Sequence, residues 1–392
     1  MRNCDNEIMR NFIFKVKKIV LTVVGLSCLL LVSCKEDSYL NAIPDNVVAL
    51  MAVDAEKSGL SISTEDIDTK EKIYFFEMAD GTLGMAARYQ GHSNGFKTVA
   101  DKWACGFGDG KMVILGPVLP AQFEEARQRI QRLMEQGEDE SIVGKPLLSR
   151  VDSLKSPIGL VAQSEAVPEQ FAALFTLCAP KNADPSMVYL AAEAELDNGV
   201  LRVKGSNFSF NKNLQSAMDE ASKVFRPLKG VYKDECEAHL LSVVMNAEGN
   251  QLLPLMQQNK SLQMLLAGMN AAVDMDNIIR SVDGEMALML KNGNMDMTMR
   301  AQLGKRDFIK DVAYWKSSCP PGSRIIDQGK DKWLYESGDI RFYFEVTPAN
   351  EFIGRLTHEK GDGEHLVESA LEMIRPFTGD LKAVVYQIGT AN

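Results

Sequence analysis

The sequence predicts an α+β protein in which one module, strand, helix, hairpin, helix, recurs along the chain. Three apolar segments each end in a small polar residue fit to cap a following helix. Each is followed by two alternating runs joined at a glycine turn, and residues of the first and third hairpins match at a constant offset of 212 positions. With 392 residues, 45% of them hydrophobic and 24% charged, the chain has ample length to bury a core. Roughly 100 to 200 residues make a domain, so two or three are expected, and neither a small disulfide framework nor a disordered chain fits.

The first element is a targeting segment. Basic residues at 15, 17 and 18 precede fourteen uncharged residues, 19–32 (IVLTVVGLSCLLLV). A membrane-crossing helix needs roughly 20 apolar residues, so this run reads as the core of a signal peptide over residues 1–33, with Met9 an alternative start. Leu31-Val32-Ser33-Cys34 then resembles a lipobox, which implies that Cys34 carries acyl chains such as palmitate and becomes the first residue of the mature chain. Lys35-Glu36-Asp37 is similar to the signal that sends such lipoproteins to the cell surface; a solvated tether facing the periplasm is the alternative. Removing residues 1–33 leaves 38 basic and 51 acidic side chains, a net charge of −13. An acidic body without a Lys/Arg stripe excludes nucleic acid as a partner, and membrane attachment then rests on the acyl chains.

After a tether over residues 34–46, the first module is expected at 47–136. Its strand Val47–Val53 ends at Asp54, and Asp80-Gly81 turns a hairpin that sets Met78 against Leu83 and Phe76 against Met85. A helix at 120–136 closes it, and the polar stretch 137–156, with Gly137 and Gly144, is the expected linker. The second module, 157–236, opens with Ile158–Gln163 ending at Ser164 and turns at Asn198-Gly199, a type I′ pair that brings Glu195 to Arg202 and Glu193 to Lys204. The third, 237–392, opens with strand 239–245 ending at Asn246. Its turn at Asn292-Gly293 places Leu288 against Met297, Met286 against Met299 and Glu285 against Arg300. Strands at 332–335, 340–346, 351–357 and 381–388, with a helix at 364–375, extend it. Asp54, Ser164 and Asn246 can each accept from free N–H groups of a helix, worth about 1 kcal/mol. Alternation of apolar and polar residues in the hairpins means antiparallel sheet covered by helices on one face.

The offset places Gly81, Met85, Arg88, Gln90, Phe96 and Trp103 on Gly293, Met297, Arg300, Gln302, Phe308 and Trp315. With the hairpin-to-helix order, this reads as repeated β-α-β-β-α units of ferredoxin-like kind.

Gly91-His92-Ser93-Asn94-Gly95 resembles the nucleophile elbow of α/β-hydrolases, with His239, His358 or His365 as the base. The strand before it is the second arm of a hairpin, no His-Gly oxyanion loop precedes it, and the matching positions 303–307 (LGKRD) form an ordinary loop. Ser93 or Asn94 is therefore expected to cap a turn and the helix after it, with a serine esterase using Ser93 as the alternative. His358-Glu359 and Glu364-His365 are separated by glycines at a spacing of seven, which suits a solvated loop better than a zinc site. Ten of the twenty methionines lie between Met245 and Met299, and Met295, Met297 and Met299 share one side of a strand. In the register above they face Met286, Leu288 and Leu290 and read as core, ahead of an apolar groove or a cuprous site. Cys105, Cys178, Cys236 and Cys319 are too widely spaced to decide between two bridges and four free thiols. Neither a metal site nor a phosphate- or dinucleotide-binding fingerprint is found, and no cofactor is expected.

The lipobox, Lys35-Glu36-Asp37, Ile43-Pro44-Asp45 before a strand ending at Val53-Asp54, and the run 282–288 (VDGEMAL) together resemble a group of gut Bacteroidota lipoproteins carrying a domain of unknown function. The resemblance implies a lipid-anchored outer-membrane protein and supplies no catalytic residues. The expected role is a non-enzymatic binding or interaction module, its ligand an unidentified protein or small molecule.

Overall fold

The computed structural model describes residues 38–60, 66–99, 102–167, 176–270, 273–291, 296–358 and 381–388. The signal peptide at 1–33, Cys34, the Asn292-Gly293 turn and the expected helix at 364–375 lie outside the described residues, as does most of the segment after Ser164 in which a capped helix was expected. Seventeen strands among the described residues form mainly antiparallel sheet, and the chain divides into two compact units. The first takes residues 1–168, 189–204 and 370–380; the second takes 169–188, 205–369 and 381–392.

In the first unit β1 (Val47–Val53), β2 (Ile73–Met78), β3 (Leu83–Arg88), β4 (Gly95–Val99), β5 (Trp103–Gly108), β6 (Lys111–Gly116), β7 (Ile158–Gln163) and β8 (Tyr189–Asp197) are joined by α1 (Phe123–Glu135) and α2 (Pro146–Asp152). The hydrogen-bonded path is β8-β7-β1-β2-β3-β6-β5-β4, antiparallel throughout. Ala126, Ile130 and Leu133 are buried at intervals of one helical turn, and that stripe packs α1 against β5 and β6. Gly106 makes the approach possible, since a Cβ there would lie 2.4 Å from Ile130.

This path overturns the repeated ferredoxin-like units. Ile158–Gln163, the expected opening of a second module, pairs with β1 of the expected first module and belongs to the same sheet. The offset identities divide as well: Met85 and Arg88 on β3 correspond to Met297 and Arg300 on another hairpin strand, but Phe96 and Trp103 lie on strands where Phe308 and Trp315 lie in helical turns. One-sided covering fails too, because β1, β2, β3 and β6 bury side chains on both faces. Without a wet face, apolar alternation no longer fixes register, and the Asp80-Gly81 hairpin is one residue off the expected pairing. Phe76 faces Gly84 and Phe75 faces Met85. The loop is Ala79-Asp80-Gly81, closed by Met78 N–H to Thr82 O at 2.9 Å, with Gly81 at φ +78 supplying the left-handed residue a three-residue loop requires.

In the second unit β9 (Val200–Phe208), which the chain shares between the two units, leads to α3 (Lys212–Ser222), α4 (Lys233–Glu237), β10 (Leu241–Glu248), α5 (Gly249–Gln258), α6 (Lys260–Asn270) and α7 (Met275–Arg280). β11 (Val282–Leu290), β12 (Met297–Leu303), α8 (Val312–Ser318), β13 (Ser323–Gly329), β14 (Lys332–Ser337), β15 (Ile340–Val346), β16 (Glu351–His358) and β17 (Ala383–Ile388) follow. The path is β17-β10-β11-β12-β16-β15-β14-β13, with only β17–β10 parallel among the described pairings of this unit. Here the alternation does describe the sheet. Met286, Met299, Phe342, Phe344 and Phe352 point to one face, where they pack with Leu252, Leu253, Ile278, Ile279, Phe308 and Trp315 of the helical layer. Phe344 is fully buried at the centre, its ring 5.3 Å from Trp333 and 6.3 Å from Trp315.

The third hairpin is two residues off the expected register. Leu290 faces Met297, Leu288 faces Met299 and Ala287 faces Arg300. A slip of two keeps every side chain on its expected face, so Met286 and Met299 are core as read, while the Glu285–Arg300 pair does not form across the strands. The caps also differ: Asp54 accepts from Lys57 N–H in a turn, and Asn246 stays within β10 while Glu248 precedes α5.

Candidate functional site

The Gly91–Gly95 loop joins the end of β3 to β4, strand to strand, so the helix that Ser93 or Asn94 was expected to cap is not there. Ser93 is exposed, and its Oγ lies 3.2 Å from the Tyr89 hydroxyl. A Cβ on Gly91 would stand 2.3 Å from that same hydroxyl, which explains the glycine as a close crossing over Tyr89. Asn94 donates to the Asp109 carboxylate at 3.3 Å. Of the candidate bases, His239 turns Nδ1 to the Glu235 carbonyl at 2.7 Å, His358 ends β16, and His365 lies outside the described residues. The bond Ser93 makes is thus to a phenol, whereas acyl transfer needs an imidazole there.

Cys105, Cys178 and Cys236 are buried, Cys319 is half-buried, and all four thiols are free. Burial pushes Cys105 up to about 12 and Cys178 and Cys236 up to about 11, against reactivity as thiolates. Met297 is half-buried beside the core methionines, and Met295 lies outside the described residues. Among the described residues no group of three or more His, Cys, Asp or Glu is placed to hold a metal ion.

The densest polar arrangement lies on the face of the second unit's sheet opposite its helical core, and the sequence reading missed it. Glu285 is fully buried on β11 and accepts the backbone N–H groups of Lys229, Gly230 at 2.8 Å and Val231 at 2.6 Å. The loop before α4 therefore wraps a carboxylate in consecutive backbone donors, the geometry of an anion nest filled by the protein's own side chain. Gln302, next but one to Arg300 on β12, accepts the Glu285 N–H at 2.9 Å, and Asn246 holds the loop from β10 by donating to the Pro227 carbonyl at 2.7 Å.

Arg300 joins three elements beside it. It forks onto Glu351 of β16 at 2.9 and 2.6 Å, donates to Glu235 of α4, and stacks 5.3 Å above the centre of the Tyr232 ring. Burial opposes its charge, but Glu351 and Glu235 outweigh that and raise its proton affinity above the ordinary value. For Tyr232, burial first and the Glu351 carboxylate next raise the phenol well above its usual range. Farther along the same face, Arg324 and Arg341 share Glu336 at 2.7 and 3.1 Å, Lys332 pairs with Glu345, and Arg355 lies 5.9 Å over Tyr343. Ile326, Leu334 and Tyr343 are half-buried between these charges. Alternating charges on β11 and β12 marked this face as polar; the partners come from α4 and its preceding loop, at sequence distances of more than fifty residues that no local pattern encodes.

The first unit carries a polar cleft of about 390 Å³ beside the Asp80-Gly81 turn, lined by Asp80, Thr82, Gly116, Pro117, Gln122 and Arg129. Arg129 reaches Asp80 at 2.8 Å and Thr82 Oγ1 at 3.0 Å. Burial works against the Asp80 charge, yet Thr82 and Arg129 together hold its carboxyl below the ordinary value.

Comparison with curated proteins finds no match. Among solved structures, crystal form I of TP0453 is similar over 87% of this chain and 98% of that one, at 8% identity and a TM-score of 0.24, too low for an argument about fold or role. The sequence pattern is decisive instead: residues 50–353 match the family described as "Domain of unknown function (DUF4836)", and with most of its length inside that match the chain belongs to this family.

Proposed function

We propose that the chain is a non-enzymatic outer-membrane lipoprotein, anchored through acyl chains on Cys34 and displayed at the cell surface, that acts as a binding or interaction module. One observation supports the module over a catalyst: the polar groups that crowd the best-formed sites are held by partners within the protein. Arg300 is held by Glu351 and Glu235, Glu285 by three backbone N–H groups, and Arg129 by Asp80. A general base or nucleophile needs a free lone pair within reach of substrate, and the carboxylates of Glu351, Glu235, Glu285 and Asp80 spend theirs on structure. The outer face of β13 to β16, with Ile326, Leu334 and Tyr343 between ion pairs, has the apolar centre and polar rim of a recognition surface.

The anchor is supported by Leu31-Val32-Ser33-Cys34 directly after the apolar run, and surface display by Lys35-Glu36-Asp37. Among the described residues no helix is long and apolar enough to cross a membrane. Three measurements test the reading. Mass spectrometry of the mature protein should find an acylated Cys34 at its N-terminus, and an unmodified chain would sink the anchor. Protease added to intact cells should digest the protein; survival would place it inside the outer membrane. A fluorophosphonate probe should leave folded protein unlabelled, and labelling abolished by Ser93→Ala would replace the binding module with a serine hydrolase.

A further inference from the structure

The folded body begins closer to Cys34 than a solvated tether over residues 34–46 requires. Ser38 opens a 3-10 turn, Tyr39–Ala42, by accepting the Leu40 N–H at 3.3 Å. Tyr39, Asn41, Ala42 and Ile43 are between 0 and 7% exposed. Four hydrogen bonds hold the segment to the first unit. The Tyr39 hydroxyl donates to the Lys72 carbonyl at 2.8 Å, and Gln136 at the end of α1 donates to the Asn41 carbonyl at 2.5 Å. Ile142 N–H donates to the Ile43 carbonyl at 2.9 Å and Asp45 N–H donates to the Glu140 carbonyl at 3.3 Å, and these two bonds make the bridge between Pro44 and Ser141. Four peptide steps therefore separate Cys34 from Ser38, the residue that opens this held segment.

We infer that the anchor holds the first unit flush against the bilayer surface, with the lipid headgroups as the partner of the rim around Ser38. The inference rests on the acylated Cys34 proposed above. A fully extended chain gains at most about 3.6 Å per residue, so Ser38 stands within about 14 Å of the anchored cysteine. Part of that reach is spent inside the headgroup layer, which adds roughly 5 to 8 Å to each side of the hydrocarbon core. What remains is less than the diameter of one helix, about 10 Å. Where Pro44 and Ser141 close the segment, exposed Glu138, Asp139 and Glu140 lie beside the Asp45–Lys145 pair, so this end of it is polar and net acidic, suited to a zwitterionic headgroup surface. The part of the first unit around Ser38 then meets partners that lie in or on the same membrane.

Neutron reflectometry on the full lipidated protein in a supported phosphatidylcholine bilayer reads the gap directly. The expected profile has a water layer no thicker than about 14 Å between headgroups and protein. Twenty Gly/Ser residues inserted between Asp37 and Ser38 should widen it toward about 25 Å, the span of a flexible linker of that length. A layer of 30 Å or more in the wild-type protein, with the Cys34 acyl mass confirmed, would overturn the inference alone, as would an insertion that leaves the layer unchanged. Absence of the acyl mass would instead overturn the anchor from which it follows. Hydrogen exchange supplies an independent check: the Asn41 and Ile43 amides, which donate to Ser38 and Leu40, should be protected, and exchange at peptide rates would remove the fixed point on which the distance depends.

Discussion

Glu285 carries more of the second unit than its place in a hairpin suggests. Its carboxylate meets three N–H donors of the 229–231 loop, and each buried donor left without a partner costs about 1 to 3 kcal/mol. Glu285→Gln keeps the shape but replaces one acceptor oxygen with an amide that cannot accept, and should lower stability by about 1 to 3 kcal/mol. Glu285→Lys sets a buried cation against those donors and should cost at least about 3 to 5 kcal/mol. Chemical denaturation compares the two, and an unchanged midpoint in Glu285→Lys would mean the loop does not close on this residue. The thiols give a second residue-level expectation. Cys105 is raised by burial from 9.0 to about 12, with Lys97 only partly opposing. Since its folded value lies above the unfolded one, its neutral form adds stability that is fully present below pH 9 and is lost as pH rises toward 12. Peptide mapping after native alkylation at pH 8.5 should find Cys319 modified before Cys105, Cys178 and Cys236; equal rates would contradict the burial.

At the scale of elements, legibility in the sequence followed the dielectric contrast across each sheet. Strands β14, β15 and β16 were readable almost to the residue because one face is apolar against helices and the other charged, so period-two alternation is strong. In β2, Ile73, Tyr74, Phe75 and Phe76 are all buried, alternation vanishes, and the hairpin register passes to packing. Phe76 settles there over Gly84, where a Cβ would stand 2.2 Å from the ring. Gly84→Ala should thus destabilise the first unit by about 1 to 3 kcal/mol, as overpacking does, and the double change Gly84→Ala with Phe76→Leu should recover part of the loss. Additive losses in a thermal melt would place the two residues apart. The polar site was illegible for another reason. Arg300 and Glu285 were visible as the charged side of a hairpin, but their partners Glu235, Glu351 and residues 229–231 arrive from a short helix, a loop and a later strand, a convergence set by topology.

On the scale of the whole molecule, neither compact unit is one continuous piece of chain. The second unit takes residues 169–188 from between β7 and β8, strands that belong to the first unit's sheet. Leu177 and Cys178 from that excursion are 4 and 7% exposed within the helical core beside Leu252, Leu262 and Leu266. Asn259, which caps α6 by accepting the Leu262 N–H, donates to the Thr176 hydroxyl at 3.0 Å. A fragment starting at residue 205 would contain every strand from β10 to β17 and all the covering helices, yet would lack this plug. Fully burying one leucine side chain contributes about 1.5 to 3 kcal/mol. Losing Leu177 together with Cys178 and the Thr176 bond removes a large share of the roughly 5 to 15 kcal/mol that holds an ordinary domain together. Fragment 205–392 should therefore unfold at least several degrees below the full chain or without a cooperative transition, and should bind an apolar dye at the uncovered core. Leu177→Ala in the intact chain is the matched control, expected to cost about 2 to 5 kcal/mol. A fragment that melts cooperatively at the full chain's midpoint would show that the excursion decorates the second unit without building it.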